Sequence, residues 1–499
     1  MHPIRRGLAV LAAALVIASP AAGAWRARAA ERTVPAAAPN ILLILTDDQR
    51  WDTLWSMPTV QRELVGRGVT FDQMFTTNSL CCPSRASILT GDFSHTTGVY
   101  RNEPPFGAFP SFRDTSTLAT WLHDGGYRTA LFGKYIDAYQ SAANDGYIPP
   151  GWDQWEAFVH AGFYDYRLTT NGTLTDHGSA PSDYSTTVLG KDATDYVRSA
   201  PTTQPLFLEF APEAPHAPAI PEPRYASAFG DLPAWNPPNM NETDVSDKPA
   251  YIRNLPSMDA AALAAEQTFR QDQYRTLLSV DDQIAALLKA YQDTGRLQNT
   301  MIIFTSDNGL AWGEHRWVKK EVPYDESLRV PLVIRYDAAT DGAPSTDQHL
   351  VLNADIAPTI ADAAGVAHPS TDGTSMLPLL RDPNAPWRHD FVLEHMEGGN
   401  PVPTFCGVRT EGWKYVRYAT REQELYNLTA DPYELQNLAG TPADAQEQAA
   451  LRARTAVLCQ PEPPGLDPSP AATSVAWAAI VVAAGLGLAG RHSRAGSAR

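Results

Sequence analysis

Cysteine is scarce in this chain, and positive charge is outnumbered. Only four of the 499 residues are cysteine, and 39 Lys and Arg side chains stand against 56 Asp and Glu, for a net charge of −17. This balance gives no general affinity for nucleic acid, which is therefore not an expected partner. An anionic substrate would need a local cluster of positive side chains. The 43% hydrophobic and 19% charged content is typical of a globular protein and excludes a disordered chain.

Long apolar runs are few, and one of them lies at the N-terminus. Arg5 and Arg6 precede the apolar run GLAVLAAALVIA, and the small-residue sites AAGA and ARAA follow it. This order predicts a signal peptide over residues 1–30, with a transmembrane start as the alternative. The protein is therefore expected to be exported.

A second apolar run lies near the C-terminus. A Pro-rich linker over residues 461–473 leads into uninterrupted apolar sequence from Val475 to Gly490, and a basic tail over 492–499 follows. We expect a transmembrane anchor over 474–491, because a basic flank is typical of the cytoplasmic side of a span. A buried or disordered tail is the alternative. With an anchor, the bulk of the protein would lie at the cell surface.

Between the two ends, short apolar runs end in polar or Pro-rich loops. PNILLILTDDQ, GYRTALFGKY, QPLFLEFAPEAPH and TMIIFTSDNG predict buried parallel strands. The segment AEQTFRQDQYRTLLSVDDQIAALLKAYQDTGR has the apolar spacing of a helix. Together these patterns predict an α/β fold without internal repeats.

The pattern of the sequence changes near residues 380–390. This change predicts a boundary between a larger domain at 38–383 and a smaller subdomain at 384–460. In the smaller subdomain FVLEH, CGVRTEGWKYVRY and ELYNL predict an antiparallel sheet, closed by the helix PADAQEQAALRARTAVLC. Cys406 and Cys459 lie on a predicted strand and at the end of this helix. In an exported protein this pair is expected to form a disulfide.

Polar pairs follow two of the predicted strands. Asp47 and Asp48 follow the first strand, and Asp307 and Asn308 follow a distant one. Ligands collect at the carboxyl ends of strands in α/β sheets, so the two pairs can converge on one site. Taken singly, an Asp-Asp pair after a strand more often caps a helix or forms a turn.

The other two cysteines, Cys81 and Cys82, are adjacent in the stretch SLCCPSRASILTG. Neither can easily bridge the other, and a metal site would want a spacer between them. Pro83 suits the first turn of a helix that Gly91 would terminate. Cys81 would then lie at a helix N-terminus, where an anionic nucleophile or a bound anion is favoured. A plain buried thiol is the alternative.

The segment CCPSRASILTG resembles the signature C-x-P-S-R-x-x-x-L-T-G of the type I, formylglycine-dependent sulfatases. Further blocks resemble the same family, among them APHAP, FTSDNG, KEVPYDESLRVPL and ELYNLTADPYELQNLA. GKYIDAY, GYIPPGW and YRTLLSVDD look most similar to the N-acetylglucosamine-6-sulfatase and heparan endosulfatase branch. The resemblance implies an alkaline-phosphatase-like fold, in which helices flank a large mixed sheet and a smaller antiparallel-sheet subdomain follows.

The resemblance also implies the site residues. Cys81 matches the cysteine that a formylglycine-generating enzyme oxidises to Cα-formylglycine. The implied catalytic residues are Cys81, Arg85, Lys134, His216 and Lys320, and the implied ligands of one Ca²⁺ are Asp47, Asp48, Cys81, Asp307 and Asn308. Arg85 would orient the nucleophile, the two lysines would bind sulfate, and His216 would protonate the departing alcohol. Lys319 is the alternative to Lys320 if the loop shifts register.

Formylglycine suits sulfate ester hydrolysis because its hydrate carries two hydroxyls on one carbon. One attacks sulfur, and the other allows the aldehyde to re-form and release sulfate, a step at which serine would stall. The chain departs from many sulfatases after Lys134. Ile136 and Asp137 stand where a histidine often helps to deprotonate the hydrate, which leaves the base in doubt, with Asp137 one option.

The sequence thus predicts an exported sulfatase acting on a sulfated carbohydrate, specifically the 6-O-sulfate of N-acetylglucosamine-type sugars. An arylsulfatase of other specificity, or a phosphodiesterase or phosphonate monoester hydrolase on the same fold, is the alternative. Glu394 and His395 are candidates to border the sugar pocket.

Overall fold

The computed structural model describes residues 38–466. The predicted signal peptide at 1–30, the anchor at 474–491, the basic tail at 492–499 and most of the linker at 461–473 lie outside the described residues. Within residues 38–466, no helix is both long enough and apolar enough to cross a membrane.

Strands occur along the whole described chain. They are β1 (Asn40–Thr46), β2 (Val69–Phe71), β3 (Met74–Phe75), β4 (Arg128–Gly133), β5 (Gln154–His160), β6 (Arg167–Thr170), β7 (Thr173–Asp176), β8 (Leu206–Ala211), β9 (Thr300–Ser306), β10 (Ala311–Trp312), β11 (Val318–Lys319), β12 (Leu332–Arg335), β13 (Ser345–Asp347), β14 (Val351–Leu352), β15 (Asp390–His395), β16 (Phe405–Thr410), β17 (Trp413–Tyr418) and β18 (Gln423–Asn427).

Helices alternate with these strands. They are α1 (Cys81–Thr90), α2 (Ser94–Thr97), α3 (Leu118–Asp124), α4 (Gln140–Asn144), α5 (Ser185–Ser199), α6 (Ala250–Arg253), α7 (Ala260–Asp293), α8 (Asp325–Leu328), α9 (Asp337–Thr340), α10 (Ile356–Ala364), α11 (Leu377–Arg381) and α12 (Ala445–Leu458). Shorter turns are 3-10 helices at Trp51–Ser56, Phe109–Ser111, Pro181–Asp183, Pro223–Tyr225, Leu297–Asn299 and Asn353–Asp355, and a π-helix at Val60–Val65.

A ten-stranded sheet forms the centre of the fold, in the order β13-β2-β12-β9-β1-β8-β4-β5-β6-β7. The strands from β9 to β5 in this order are parallel. β12 pairs antiparallel with both β9 and β2, and β6 and β7 add an antiparallel edge, which makes the sheet mixed. The four strands that the sequence predicted correspond to β1, β4, β8 and β9, so that prediction is confirmed.

Strand β1 shows why the sheet is central. All seven of its residues are buried, and their side chains alternate between the two faces of the sheet. Leu42 and Ile44 pack into one hydrophobic cluster with the buried side of α7, whereas Ile41 and Leu43 pack into another with α3 and α10. The continuous apolar run therefore reflects a strand covered by helices on both faces.

A second, four-stranded antiparallel sheet has the order β15-β16-β17-β18. Leu451 of α12 packs on it beside Val408, Tyr415 and Leu425. The predicted disulfide is present between Cys406 and Cys459, whose Cα atoms lie 6.4 Å apart. The expected architecture, a large mixed sheet with helices and a separate small antiparallel sheet, is therefore confirmed.

Candidate active site

The site lies where four neighbouring parallel strands end. Asp47 and Asp48 follow β1, Asp307 and Asn308 follow β9, Lys134 follows β4, and the loop after β8 carries His216. Carboxyl ends of parallel strands meet at one edge of a sheet, so this topology gathers residues far apart in the sequence. Gly133 allows the close approach of β4, since a Cβ there would lie 1.9 Å from the carbonyl oxygen of Ala211.

Helix α1 brings Cys81 to this edge as its first residue. The helix ends as predicted at Gly91, whose φ of 77° is in the left-handed region. Asn102 accepts a hydrogen bond from the backbone N–H of Cys82 at 2.9 Å and so satisfies one free amide at the helix N-terminus. Cys82 itself is fully buried against Ala86 and Leu89, as a packed neighbour.

Cys81 is surrounded by charged groups. Its Sγ lies 2.8 Å from Nζ of Lys320 and 3.7 Å from Oδ1 of Asp47. Lys320 also contacts Asp48, and Lys134 contacts Asp47 on the other side of the site. Cys81 is 1% exposed and the two lysines 7–8% exposed, so these charges interact with little water between them.

Arg85 lies one turn into α1 and joins three parts of the site. Its Nε donates to Oδ2 of Asp307 at 2.8 Å, and its Nη1 donates to the carbonyl oxygen of Lys134 at 2.9 Å. Its Nη2 lies 3.5 Å from Oδ2 of Asp47. The guanidinium is buried and always charged, so it fixes both carboxylates relative to α1.

His216 approaches the site from the loop after β8 and is the most exposed predicted catalytic side chain, at 29%. Its Nδ1 lies 2.7 Å from the carbonyl oxygen of Ala217, which makes Nδ1 a donor. Its Nε2 lies 3.6 Å from Oδ2 of Asp48 and faces the charged cluster. This arrangement leaves Nε2 as the nitrogen that can exchange a proton with a ligand.

The donor set fits a hard cation. One ligand atom from each of Asp47, Asp48, Cys81 and His216 lies within 4.8 Å of the other three. Asn308 adds a carbonyl oxygen, since its Nδ2 donates to Asp48 at 2.6 Å and its buried Oδ1 has no hydrogen-bond partner within residues 38–466. Buried oxygen donors of this kind suit Ca²⁺ or Mg²⁺.

The charges in the cluster shift one another's pKa values. Burial alone would raise the pKa of Asp47, but Lys134, His216 and Arg85 outweigh it and hold that pKa well below its usual range. Burial, together with the charge of Asp47, raises the pKa of Asp307 to about 6. The two carboxylates are therefore not equivalent.

The cationic groups keep their protons. Burial lowers the pKa of Lys320, but the charges of Asp48, Asp47 and Asp307 raise it well above its ordinary value. Lys134 behaves in the same way, beside Asp137 and Asp47. Burial, then the charge of Asp47, raises the pKa of the Cys81 thiol, so the unmodified side chain is a neutral thiol.

Sequence reasoning left the lysine register open, and the structure brings Lys320 rather than Lys319 to Cys81. Asp137 lies 3.6 Å from Nζ of Lys134 and is 30% exposed. His95 pairs with Glu394 instead of entering the cluster. His315 contacts Glu242 at 2.6 Å and stacks on Tyr324, so it is part of a buried network beside the site.

Sequence reasoning missed Glu213. This carboxylate is buried, lies 3.5 Å from Nδ1 of His216, and has an Oε2 atom with no hydrogen-bond partner in the described chain. The charge of Lys134 lowers its pKa, but burial dominates and raises it. The signal in the sequence was an acid three residues before His216, a spacing that is common by chance.

A cavity of about 480 Å³ opens beside Cys81. It is bounded by Leu80, by Leu255 and by three segments, residues 101–103, 316–321 and 398–401. Its volume is in the range of small-molecule sites, about 300–1,000 Å³. Glu394 and His395, expected to border a sugar pocket, are each 1% exposed and do not line this cavity.

Comparison with protein families agrees with this geometry. A family model described as Sulfatase matches residues 39–366, and a second, described as N-sulphoglucosamine sulphohydrolase, C-terminal, matches residues 313–460. Together the two models extend over both sheets.

Individual relatives are similar over most of their length. The N-acetylglucosamine-6-sulfatase of Capra hircus is 33% identical over 451 residues, covering 80% of each chain, and that of Homo sapiens is 33% identical over 453 residues, covering 81% of each. A solved structure of a protein in complex with its substrate D-glucosamine-2-N,6-O-disulfate superposes with a TM-score of 0.76 at 26% identity, covering 85% of this chain and 98% of the other. The chain therefore belongs to the sulfatase family of sulfuric ester hydrolases, in the branch that contains the N-acetylglucosamine-6-sulfatases.

Proposed function

We propose that this sulfatase hydrolyses the 6-O-sulfate of N-acetylglucosamine-type sugars with a formylglycine made from Cys81. The observation that carries the proposal is the position of Cys81. It is the first residue of α1, it lies in the motif C-C-P-S-R, and its Sγ lies between Lys320 and Asp47 in a buried cluster of acids and cations. A cysteine that only packed in the hydrophobic core would not need to be surrounded by charged side chains.

Oxidation of the Cys81 side chain to an aldehyde by a formylglycine-generating enzyme would precede activity. The hydrated aldehyde supplies two hydroxyls on one carbon, one to attack sulfur and the other to let the aldehyde re-form. Arg85 and Lys320 hold this position, since the arginine anchors the carboxylates beside it and the lysine contacts the side chain itself.

Asp47, Asp48, Asp307 and Asn308, with the oxygen that replaces Sγ of Cys81, would hold the calcium ion. Bound calcium supplies positive charge that offsets the negative charge of a sulfate group. The unpartnered Oδ1 of Asn308 and the convergence of the Asp47 and Asp48 carboxylates support this ligand set.

The remaining residues bind the sulfate group and transfer a proton to the leaving group. Lys134 and Lys320 remain cationic; Lys320 contacts Cys81 and Lys134 contacts the neighbouring Asp47, so both can bind the sulfate oxygens. Burial lowers the pKa of His216, but Asp48 and Asp47 raise it overall, which favours the protonated imidazolium. When the bond from sulfur to the ester oxygen breaks, His216 donates a proton to the departing alcohol, and water restores it.

The substrate class rests on the relatives, whose names specify N-acetylglucosamine 6-sulfate. The net charge of −17 disfavours the binding of a long anionic polymer, which favours a monosaccharide or a chain terminus. Export is supported by the disulfide between Cys406 and Cys459, since disulfides persist in oxidising compartments. The anchor at 474–491, a catalytic domain at 38–383 and a subdomain at 384–460 stay predictions.

The first experiment tests the modification. Peptide mass spectrometry of the fragment containing Cys81 should show a mass about 18 Da below that of the thiol, whereas ordinary cysteine oxidation adds mass. Cys81→Ala should abolish hydrolysis of 4-nitrophenyl sulfate and of N-acetylglucosamine 6-sulfate. Cys82→Ala is the matched control and should keep both activities. An active Cys81→Ala protein would contradict the proposal.

A second arm tests the reaction class. The same preparation is assayed on an aryl sulfate and on an aryl phosphate diester. Both esters carry one negative charge, so the comparison tests the reaction class and not the charge of the substrate. Faster turnover of the sulfate is expected, because the chain belongs to the sulfatase family. A clear preference for the phosphate diester would instead indicate a phosphodiesterase on this fold.

A further inference from the structure

The cavity beside Cys81 carries more positive charge than one sulfate ester requires. Its ionisable lining residues are Arg101, Arg316, Lys319 and Lys320 against Glu103 and Glu321. Lys320 is already assigned to the reacting sulfate by its contact with Cys81. The other three cations also line the cavity, in a protein whose overall charge is strongly negative.

Arg101 has unused hydrogen-bonding capacity. Of its five N–H donors, one on Nη1 is given to the carbonyl oxygen of Glu397, at 3.2 Å, and within residues 38–466 no other acceptor is in hydrogen-bond range. Its nearest carboxylate, Glu103, lies 3.9 Å from Nη2 and is 73% exposed, so this pair is weak. A Cβ at Gly398 would lie 3.9 Å from Nε of Arg101, which places the guanidinium directly beside the loop at 398–401.

Lys319 is held in the cavity wall by an unusual backbone. Its φ is 97°, and Arg316 and Glu321 of the same segment also have positive φ, 62° and 77°. Residues other than glycine rarely adopt a positive φ, and those that do often cluster at functional sites. The conformation sends the Lys320 ammonium to Cys81, while Lys319 is exposed and its ammonium makes no ion pair or hydrogen bond in the described chain.

Arg316 differs from these two. Its guanidinium donates to the backbone carbonyl oxygens of Glu242, Leu255 and Thr243, at 2.8, 3.0 and 2.8 Å. It therefore holds the loop in place and contributes charge but few free donors. Besides Lys320, Arg101 and Lys319 are the cations of the cavity that can contact a ligand directly.

We propose that Arg101 and Lys319 bind a second anionic group of the substrate, a sulfate or carboxylate other than the ester that is hydrolysed. This inference rests on the proposed function, because the cavity begins at Leu80, next to Cys81. The group could belong to the same sugar ring, as an N-sulfate, or to a neighbouring uronate ring. Glu103, on the same wall, opposes an anion and limits the affinity.

Binding measured without turnover tests the proposal. Full-length Cys81→Ala protein with calcium is titrated calorimetrically with three ligands: N-acetylglucosamine 6-sulfate, glucosamine-2-N,6-O-disulfate, and a 6-sulfated disaccharide that carries a uronate. The protein should bind at least one of the doubly anionic ligands more tightly than the first. The ligand that gains affinity identifies the source of the anion.

Three charge variants made in the same background assign the effect. Arg101→Gln and Lys319→Gln should each weaken binding of the preferred ligand about tenfold to a hundredfold, as expected for a charged hydrogen bond, while binding of the monosulfate changes less. Glu103→Gln should strengthen it. Lys319 is exposed, so Lys319→Gln tests the proposal even if Arg101→Gln folds poorly.

Equal affinity for the singly and doubly anionic ligands, or a preference that survives both Gln variants, would overturn the inference. The proposed function is judged separately, by hydrolysis of 4-nitrophenyl sulfate by the wild-type protein. That small substrate carries no second anion, so its turnover does not depend on Arg101 or Lys319.

Discussion

Thr46 and Ser306 are partners in the parallel pairing of β1 and β9. This register makes Asp47–Asp48 and Asp307–Asn308 leave the sheet side by side. The backbone N–H of Asp48 donates to Oδ1 of Asp307 at 3.1 Å, and Nδ2 of Asn308 donates to Oδ1 of Asp48 at 2.6 Å. A slip of one residue would turn these side chains to opposite faces, so the pairing itself builds the acidic cluster.

Asn308→Ala should weaken calcium binding. The substitution removes the Oδ1 atom that has no other partner in the described chain. Loss of outer-shell groups already costs about 10- to 100-fold in metal affinity, so loss of a direct ligand should raise the Kd by at least about tenfold. Calorimetric titration of chelator-treated protein with calcium measures this Kd. Asn299→Ala, on the exposed surface, is the control. Equal calcium affinities in the wild type and both variants would remove Asn308 from the ligand set.

His216→Gln should affect substrates according to their leaving group. A sugar alkoxide is a poor leaving group and needs a proton, whereas 4-nitrophenolate leaves without one. The kcat for N-acetylglucosamine 6-sulfate should fall by about 10²–10⁴-fold, and that for 4-nitrophenyl sulfate by much less. His160→Gln, at an exposed position, serves as the control. An equal fall for both substrates would show that His216 positions the ester instead of protonating it.

The sequence predicted those parts of the fold in which local pattern and tertiary position agree. The runs that became β1, β4, β8 and β9 are apolar throughout because helices cover both faces of the sheet. Pro83 and Gly91 marked the two ends of α1, and turn-separated runs marked the small C-terminal sheet. Strand order could not be read locally, since the antiparallel β12 lies between β9 and β2 through contacts distant in sequence.

The predicted site residues came from motif resemblance, and their spatial relations came from the structure. The choice between Lys319 and Lys320 depends on backbone angles that no local pattern specifies. Glu213 and Asn102 reach the site through folding of separate loops, and neither belongs to a sequence motif with Cys81. Pairings such as His95 with Glu394 also connect segments far apart in the chain.

Glu156→Gln should stabilise the protein at alkaline pH. Glu156 lies on β5, and burial, with the charge of Asp192, raises its pKa from 4.5 to about 8. Between these values the folded state holds a proton that the unfolded state has lost, so stability falls as pH rises towards 8. Glu156→Gln has no carboxylate to ionise, so its stability does not fall with pH in this way. Its Tm should exceed that of the wild type at pH 9 and match it more closely at pH 5.

Glu411→Gln is the control for this comparison, because the Glu411 side chain is 66% exposed. Thermal unfolding of the three proteins between pH 5 and 9 separates the outcomes. A Tm difference between Glu156→Gln and wild type that stays constant with pH would mean that packing, and not ionisation, distinguishes them.

Replacing Cys406 and Cys459 by alanine should destabilise the smaller sheet without changing the active site. The disulfide joins β16 to the end of α12 across a sequence separation of 53 residues and packs against Val392 and Leu466. Its loss should cost about 2–4 kcal/mol of the free energy of unfolding, chiefly by freeing the unfolded chain. The midpoint of urea unfolding measures this loss.

Reduction of the wild-type protein provides the matched comparison, because neither Cys81 nor Cys82 forms a disulfide and within residues 38–466 only the Cys406–Cys459 bond can respond. Dithiothreitol should lower the wild-type midpoint towards that of the double variant and leave the variant unchanged. If the variant alone is destabilised, the cause is lost packing around the sulfur atoms. The loop at 398–401 lies between β15 and β16 of the smaller sheet, which the disulfide should stabilise. The same kcat in the oxidised wild type and in the double variant would show that the disulfide does not act on Cys81.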